Sequence, residues 1–399
     1  MNSTVACCYL TYNHPEVVEQ ILERICDTYR EKGIDIYYYD SSTDEKTEEI
    51  IKKYQDKGYD NIYYVDVKFI KSGDEKYLYV IQGNGLKKHY DYIWPTKDRI
   101  FFRGKALDEI CESMEQGNDV IFAVNEEDRW ELVIPKVKDV YEDPAEFFSH
   151  YGQLCTNWEA FIRKTSTMVD GVDWDAYAAK YKVGPDNNFN QLITGFARLS
   201  ELEKCSIRVV HHEPMDKLCS VLAKSMWRNS FMKVWVDTWI PAIFSLPDIY
   251  NPHKLNIIKS ELGLFSLFGS TESLIQLREE GILDYERYSA LSDMWEMITD
   301  YPKEFFELLM LKDDSKMLTL IRERFEKAFA EKDYPKAYLL HIGNEWLSMT
   351  MEKEDYEIMK ICFTVYKNEI NKYGKSLLFE GVTSVNELIS KYKSLTEQK

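Results

Sequence analysis

The chain has 399 residues, 45% of them apolar and 30% charged, which is enough for two domains with sizeable cores and excludes a disordered chain. Its 50 basic and 68 acidic residues leave a net charge of -18, which repels nucleic-acid phosphate and anionic lipid and sets non-specific nucleic-acid binding aside. No run approaches the ~18 apolar residues that cross a bilayer. The opening MNSTVACCYLTYNHPE has no basic region followed by an apolar stretch, so it does not read as a signal peptide. The eight cysteines contain no C-x-x-C pair, and they read as small apolar residues of a reduced, cytoplasmic protein.

In chain order, residues 4–11 form an apolar run of strand length. Residues 15–32 follow with Val18, Ile21, Leu22 and Ile25 at helical spacing and Pro15 in the first turn. IDIYYYD (34–40) reads as a second strand, 43–57 as a helix, and NIYYVDV (61–67) as a third strand. A short helical segment is expected at 85–89, then a strand at 90–95, a helix at 104–116 and a strand at 119–124. Alternation of this kind is the mark of a doubly wound, mostly parallel α/β sheet. Residues 145–204 read as mostly helical with breaks at Gly171 and Gly184, and CSIRVVHHEP (205–214) as a further strand. From 216 to 399 the pattern is helical almost throughout, so a boundary is expected near 214, between an α/β domain (1–214) and an all-α domain (215–399). Trp227, Phe231, Trp235 and Trp239 recur at four-residue spacing, which is one face of an α-helix that packs on the first domain.

Open parallel sheets bind ligands beyond the carboxyl ends of their strands. The residues to watch are therefore Thr11-Tyr12-Asn13, Asp40-Ser41-Ser42 and Thr96-Lys97-Asp98-Arg99. A carboxylate such as Asp40 at a strand end accepts bonds from ribose hydroxyls or a base N–H, and Thr11 and Asn13 hold a base or ribose through backbone and side chain. The sequence has no P-loop, no G-x-G-x-x-G after the first strand, no H-E-x-x-H and no G-x-S-x-G. Gln82-Gly83-Asn84-Gly85 supplies two glycines only.

In order and spacing, TYNHP (11–15), DSSTDEKT (40–47) and GNGLKKHYDYIWPTKDR (83–99) resemble the family 2 glycosyltransferases of the GT-A fold. The resemblance covers about residues 4–215 and extends to bacterial enzymes of surface-glycan pathways with helical C-terminal extensions. It implies a UDP-sugar donor, a glycan, lipid-linked glycan or glycoprotein acceptor, and a divalent cation, Mn²⁺ or Mg²⁺. Gly83, Lys88 and Lys97 fall in the donor-binding region of that pattern. The family's D-x-D is missing: at its place stands Thr96-Lys97-Asp98-Arg99, with one carboxylate. Either Asp98 holds a cation with His211 or His212 and phosphate oxygens, or Lys97, Arg99 or Lys88 meets the phosphate directly. As for the base of an inverting transfer, the family's pattern places it at Asp186, before the apolar helix of VGPDNNFNQLITGF, where plain N-capping is the competing role. Trp158 stands where the family contacts sugar or acceptor, and a core role suits it equally. In an alternating strand His211 and His212 face opposite ways, so one of them at most joins a site. The missing D-x-D also leaves room for an inactive glycosyltransferase-like scaffold. A nucleotidyltransferase is disfavoured, since TYNHP has no Gly-rich basic turn. The helical half could pair with a second copy, and nothing in it names the acceptor.

Overall fold

The computed structural model describes residues 2–125, 137–156, 161–181, 183–212, 232–260, 271–283 and 303–331, with single positions 230, 286, 289, 387, 390 and 394. Strand β1 (Val5–Thr11) has all seven residues buried, as a strand covered on both faces requires. Helix α1 (Pro15–Glu31) starts on its proline and buries Val18, Ile21, Leu22, Ile25, Cys26 and Tyr29. Then come β2 (Ile34–Asp40), α2 (Lys46–Asp56), β3 (Ile62–Asp66), α3 (Gly73–Ile81), β4 (Tyr92–Lys97), α4 (Gly104–Glu115) and β5 (Val120–Asn125). The chain continues with β6 (Val140–Tyr141), α5 (Pro144–Tyr151), β7 (Ile162–Lys164), α6 (Thr165–Met168), α7 (Trp174–Tyr181), α8 (Asn190–Leu199) and β8 (Ile207–His212).

These strands form one sheet in the order β3-β2-β1-β4-β7-β5-β8-β6. Pairs β1–β2, β1–β4, β2–β3 and β5–β8 are parallel, while β7 pairs antiparallel with β4 and β5, and β6 with β8. This is the mostly parallel, Rossmann-like sheet that the GT-A resemblance implies. On one face Cys7, Tyr9, Ile36, Tyr38 and Trp94 pack with the buried stripes of α1, α2 and α4. Helix α3 packs against β1, β4 and α8.

Four sequence expectations change. The helix falls at Gly73–Ile81 rather than 85–89, because Ser72 Oγ caps it by accepting from Glu75 N at 3.0 Å. Gly85 instead makes a tight turn with φ +79, where a Cβ would stand 2.8 Å from Val65 Cγ1. Strand β4 runs on to Lys97, and the short strand β7 interrupts a stretch read as helical. Finally, the Trp235–Trp239 segment is a π-helix (Lys233–Trp239), followed by α9 (Ile240–Ser245) and α10 (Asn251–Ser260). Trp227 and Phe231 lie outside the described residues.

The chain divides into two compact units. The first takes in Met1–Glu126 and Lys138–Lys254, and the second Leu255–Lys399 with Glu127–Val137. The expected change at 214 therefore moves to 254. Trp239 packs on Phe189 with ring centroids 4.9 Å apart, and Tyr250 packs on Phe148 and Phe196 and donates its hydroxyl to Phe196 O at 2.8 Å. In the second unit, α11 (Thr271–Glu279), α12 (Lys303–Met310) and α13 (Asp314–Ala330) bury Leu274, Leu277, Phe305, Phe306, Leu309, Met317, Ile321 and Phe325. Buried Arg278 ties them by donating to Leu309 O and Asp314 Oδ1, each at 2.7 Å.

Candidate functional site

From β1 the chain steps outward to β2 and β3, then returns to place β4 on the other side of β1. That reversal is a topological switch point, where an open α/β sheet leaves a crevice at its strand ends. Thr11 is in register with Asp40, and Leu10 with Lys97, so the ends of β1, β2 and β4 stand level there.

On the β2 side, Asp40 is fully buried and its carboxylate is already engaged. Oδ1 accepts from Ser42 N at 2.9 Å and from Ser42 Oγ at 2.5 Å, and Oδ2 accepts from Tyr64 OH at 3.3 Å. Asn13 adopts the left-handed region at φ 54, which Asn tolerates better than most residues. Its N–H donates to Ser42 Oγ at 2.7 Å, and its Oδ1 accepts from Thr43 N at 2.9 Å. Asp40 and Asn13 were expected to reach a base or ribose with their side chains. In the structure the Asp40 carboxylate braces its own turn, while Asn13 Oδ1 joins the two turns. Ser41 N donates to Thr11 O at 3.3 Å, completing the clip, and Tyr12 between the turns is 54% exposed.

On the β4 side, Asp98 is buried. Its Oδ2 accepts from Thr11 Oγ1 at 3.2 Å and lies 2.8 Å from His14 Nδ1, ahead of α1. That bond raises the His14 pKa above its ordinary value. Lys97 and Arg99 flank Asp98 in sequence.

The sequence reading missed Lys76. It projects from α3 to donate to Thr11 O at 2.6 Å, and it is 3% exposed. Burial pulls its pKa down to about 8, against the opposing attraction of Asp40 and Asp98. The missing signal was the helix itself: once α3 is placed, its first turns point a lysine at the strand ends. Phe69, in the loop after β3, is 66% exposed and was likewise not singled out.

Other expected residues fall elsewhere. Gly83 closes the far end of α3, donating to Val80 O at 2.9 Å, about 13 Å along the helix from its start. Lys88 pairs with Asp35 at 3.0 Å, at the opposite end of β2 from Asp40 and about 16 Å away along the strand. His211 and His212 end β8, four places from β1 in the sheet. They do face opposite ways: His211 Nε2 is 3.5 Å from Tyr151 OH, and the His212 ring meets Phe102 edge-on at 5.0 Å. Trp158 lies outside the described residues.

Asp186 does not cap α8, which starts at Asn190. It sits 93% exposed on the preceding loop, 3.9 Å from Lys233 Nζ. That loop is fixed to the start of α3: Ser72 Oγ donates to Pro185 O at 3.1 Å, and Asn188 Nδ2 donates to Asp74 Oδ2 at 3.0 Å.

Among the described residues, the set expected to hold a divalent cation does not come together around one. Such an ion takes oxygen ligands open to it, whereas the carboxylate at the expected place is buried, with one oxygen bonded to both Thr11 and His14. Among the described residues no group of three or more His, Cys, Asp or Glu side chains is placed to hold a metal ion.

No protein-family model matches the sequence, and no curated protein matches it. Among solved structures, the chain is similar to S. aureus TarS 1-349 in complex with UDP, at 13% identity and a TM-score of 0.48, over 80% of this chain and 90% of that one. Against S. aureus TarS the identity is 13% and the TM-score 0.42, over 79% of this chain; the chain spans about half of that longer protein, 54%. A mannosyltransferase from Pyrobaculum calidifontis, PcManGT, in complex with GDP-Man and Mn²⁺, is similar at 10% identity and a TM-score of 0.43, over 81% and 87% of the two chains.

Proposed function

We propose that this chain is a glycosyltransferase that moves a sugar from a UDP-sugar to a hydroxyl of a glycan, lipid-linked glycan or glycoprotein acceptor. The observation that carries the reading is the switch-point crevice. It gathers the Thr11–Asn13 turn, the Asp40–Ser42 turn, Lys97-Asp98 and buried Lys76 at one place. The nucleoside sits against the two turns, with Tyr12 offering an exposed ring and the clipped backbone a fixed wall. Holding that wall rigid before the donor arrives removes ordering cost from binding.

Transfer is a single inverting displacement. The acceptor oxygen attacks the anomeric carbon, the bond to the diphosphate breaks, and the acceptor proton passes to Asp186. An exposed carboxylate on a loop pinned to α3 suits a base that must meet an incoming acceptor. The negative charge that develops on the departing diphosphate needs positive groups nearby, and Lys76 and Lys97 supply them. The helical remainder of the chain binds the acceptor or a second copy. The six described cysteines are all buried free thiols, which supports a reducing, cytoplasmic setting.

A thermal-shift panel of UDP, GDP, ADP and their sugar conjugates tests the donor site. A ligand at 100 times its Kd adds about 2.7 kcal/mol of stability. We expect the uridine compounds to shift the melt, and no shift from any of them ends the nucleotide-sugar reading. Asp186→Asn tests the base: kcat should fall at least ~100-fold with UDP binding intact. Unchanged turnover removes Asp186 from the mechanism. Binding of UDP-sugars with no transfer or hydrolysis, in the wild type as in Asp186→Asn, points instead to a scaffold that only recognises the donor.

A further inference from the structure

The structure assigns a buried anion site to Arg163 on β7, where the guanidinium takes a small monovalent ion such as chloride and fastens the sheet to α3 and α8. The site stands apart from the switch-point crevice and does not depend on the nucleotide-sugar reading. Arg163 is in register with Ile93 on β4, four residues before Lys97 and about 13 Å away along the strand.

Arg163 lies between β4 and β5 and is 0% exposed. Its Nη2 donates to Tyr77 OH on α3 and to Gln191 O and Thr194 Oγ1 on α8, each at 2.9 Å. All three acceptors are neutral. Nε and Nη1 have no hydrogen-bond partner. Among the described residues no carboxylate pairs with this guanidinium. The Phe161 and Tyr77 rings, with centroids 5.6 and 5.9 Å from its central carbon, attract the charge only in part. A buried lysine can shed its proton, but an arginine cannot. A charge that must stay, buried and unpaired, costs far more than one unmade hydrogen bond.

Two kinds of group could answer those donors. Gln191 turns its amide nitrogen to Thr156 O at 2.7 Å, and its Oε1 is as unpartnered as the Arg163 donors. A water between them would satisfy the hydrogen bonds and leave the charge. An anion answers the donors and the charge together. The surroundings select a small one. Tyr77, Gln191 and Thr194 are fully buried, and Phe161 packs so close to α8 that a Cβ on Gly195 would stand 2.9 Å from its ring. A site closed in this way suits a single atom, not a phosphate.

The test is melting of the full chain in sodium chloride, sodium bromide and sodium gluconate at one ionic strength and pH, for the wild type and for Arg163→Met. Crystals of the wild type grown in bromide locate the ion by its anomalous signal. We expect the wild type to melt a few degrees higher in either halide than in gluconate, because an ion bound only by the folded state stabilises it. Arg163→Met, which keeps an unbranched side chain and removes the charge, should melt alike in all three salts. Bromide should lie within hydrogen-bond distance of Nη1 or Nε. Equal melting of the wild type in the three salts, or a halide effect that Arg163→Met retains, overturns the inference. Should Arg163→Met fail to fold, the crystals decide: bromide beside Arg163 upholds the site, and water in its place overturns it.

Discussion

Lys76 shows how one residue links the stability of the fold to its proposed chemistry. A lysine 3% exposed, with one hydrogen bond to Thr11 O, is costly to keep charged, and its pKa falls to about 8 from 10.5. Below pH 8 it is protonated both folded and unfolded, and the folded state carries the burial cost. Between pH 8 and 10.5 the unfolded chain binds more protons than the folded one, so stability from this group rises with pH. Urea unfolding of the wild type and Lys76→Met should therefore diverge across that window, the wild type gaining up to about 3 kcal/mol on the variant. Parallel curves would mean that Lys76 titrates normally. At pH 7 the same variant should weaken UDP binding, because it removes the cation that faces the crevice. The strand-end residues Thr11, Asp40 and Asp98 were legible in the sequence because an apolar run marks where a strand stops. The work that Asp40 and Asn13 do was not legible. Whether a polar side chain turns to a ligand or to its neighbouring turn depends on a register that only the folded sheet supplies.

At the scale of elements, the sequence pattern placed β1 to β5 and the helices between most of them, since each strand is a short apolar run and each helix an amphipathic stripe. It failed at α3. The run Tyr77-Leu78-Tyr79-Val80-Ile81 is aromatic and β-branched, which weakens a helical reading, and the tertiary contacts with β1, β4 and α8 override that preference. Placing a helix at 85–89 also overlooked why Gly85 is there. Its φ of +79 and the approach of Val65 Cγ1 at 2.8 Å and Tyr39 Cε1 at 3.1 Å leave no room for a side chain. Gly85→Ala should cost about 1–3 kcal/mol, through both the strained backbone and the clash. Chemical denaturation reads this directly, and a cost near zero would show that the turn relaxes freely. Short antiparallel β7 escaped for a different reason: three residues carry too little periodicity to register, although they are what joins β4 to β5.

At the scale of the whole chain, the composition change near 214 is real in sequence but does not mark where the first unit ends. The π-helix, α9 and the start of α10 cover apolar surface that α5 and α8 would otherwise expose. Trp239 is fully buried on Phe189, Trp235 lies 5.8 Å from the same ring, and Tyr250 closes over Phe148 and Phe196. Lys254 completes the segment by donating to Phe244 O at 3.2 Å and Leu246 O at 2.5 Å, which satisfies carbonyls at the end of α9. A chain stopped at 214 loses all of these at once. Removing a buried tryptophan side chain alone costs about 3–5 kcal/mol, a large part of the 5–15 kcal/mol that holds a typical domain. A fragment of residues 1–254 should therefore melt at a clearly higher temperature than one of residues 1–214, and the shorter fragment should expose enough apolar surface to bind a hydrophobic dye. If the two fragments melt alike, Trp239 and Tyr250 contribute little to the first unit. The proposed catalytic domain would then end at 214, where the composition changes.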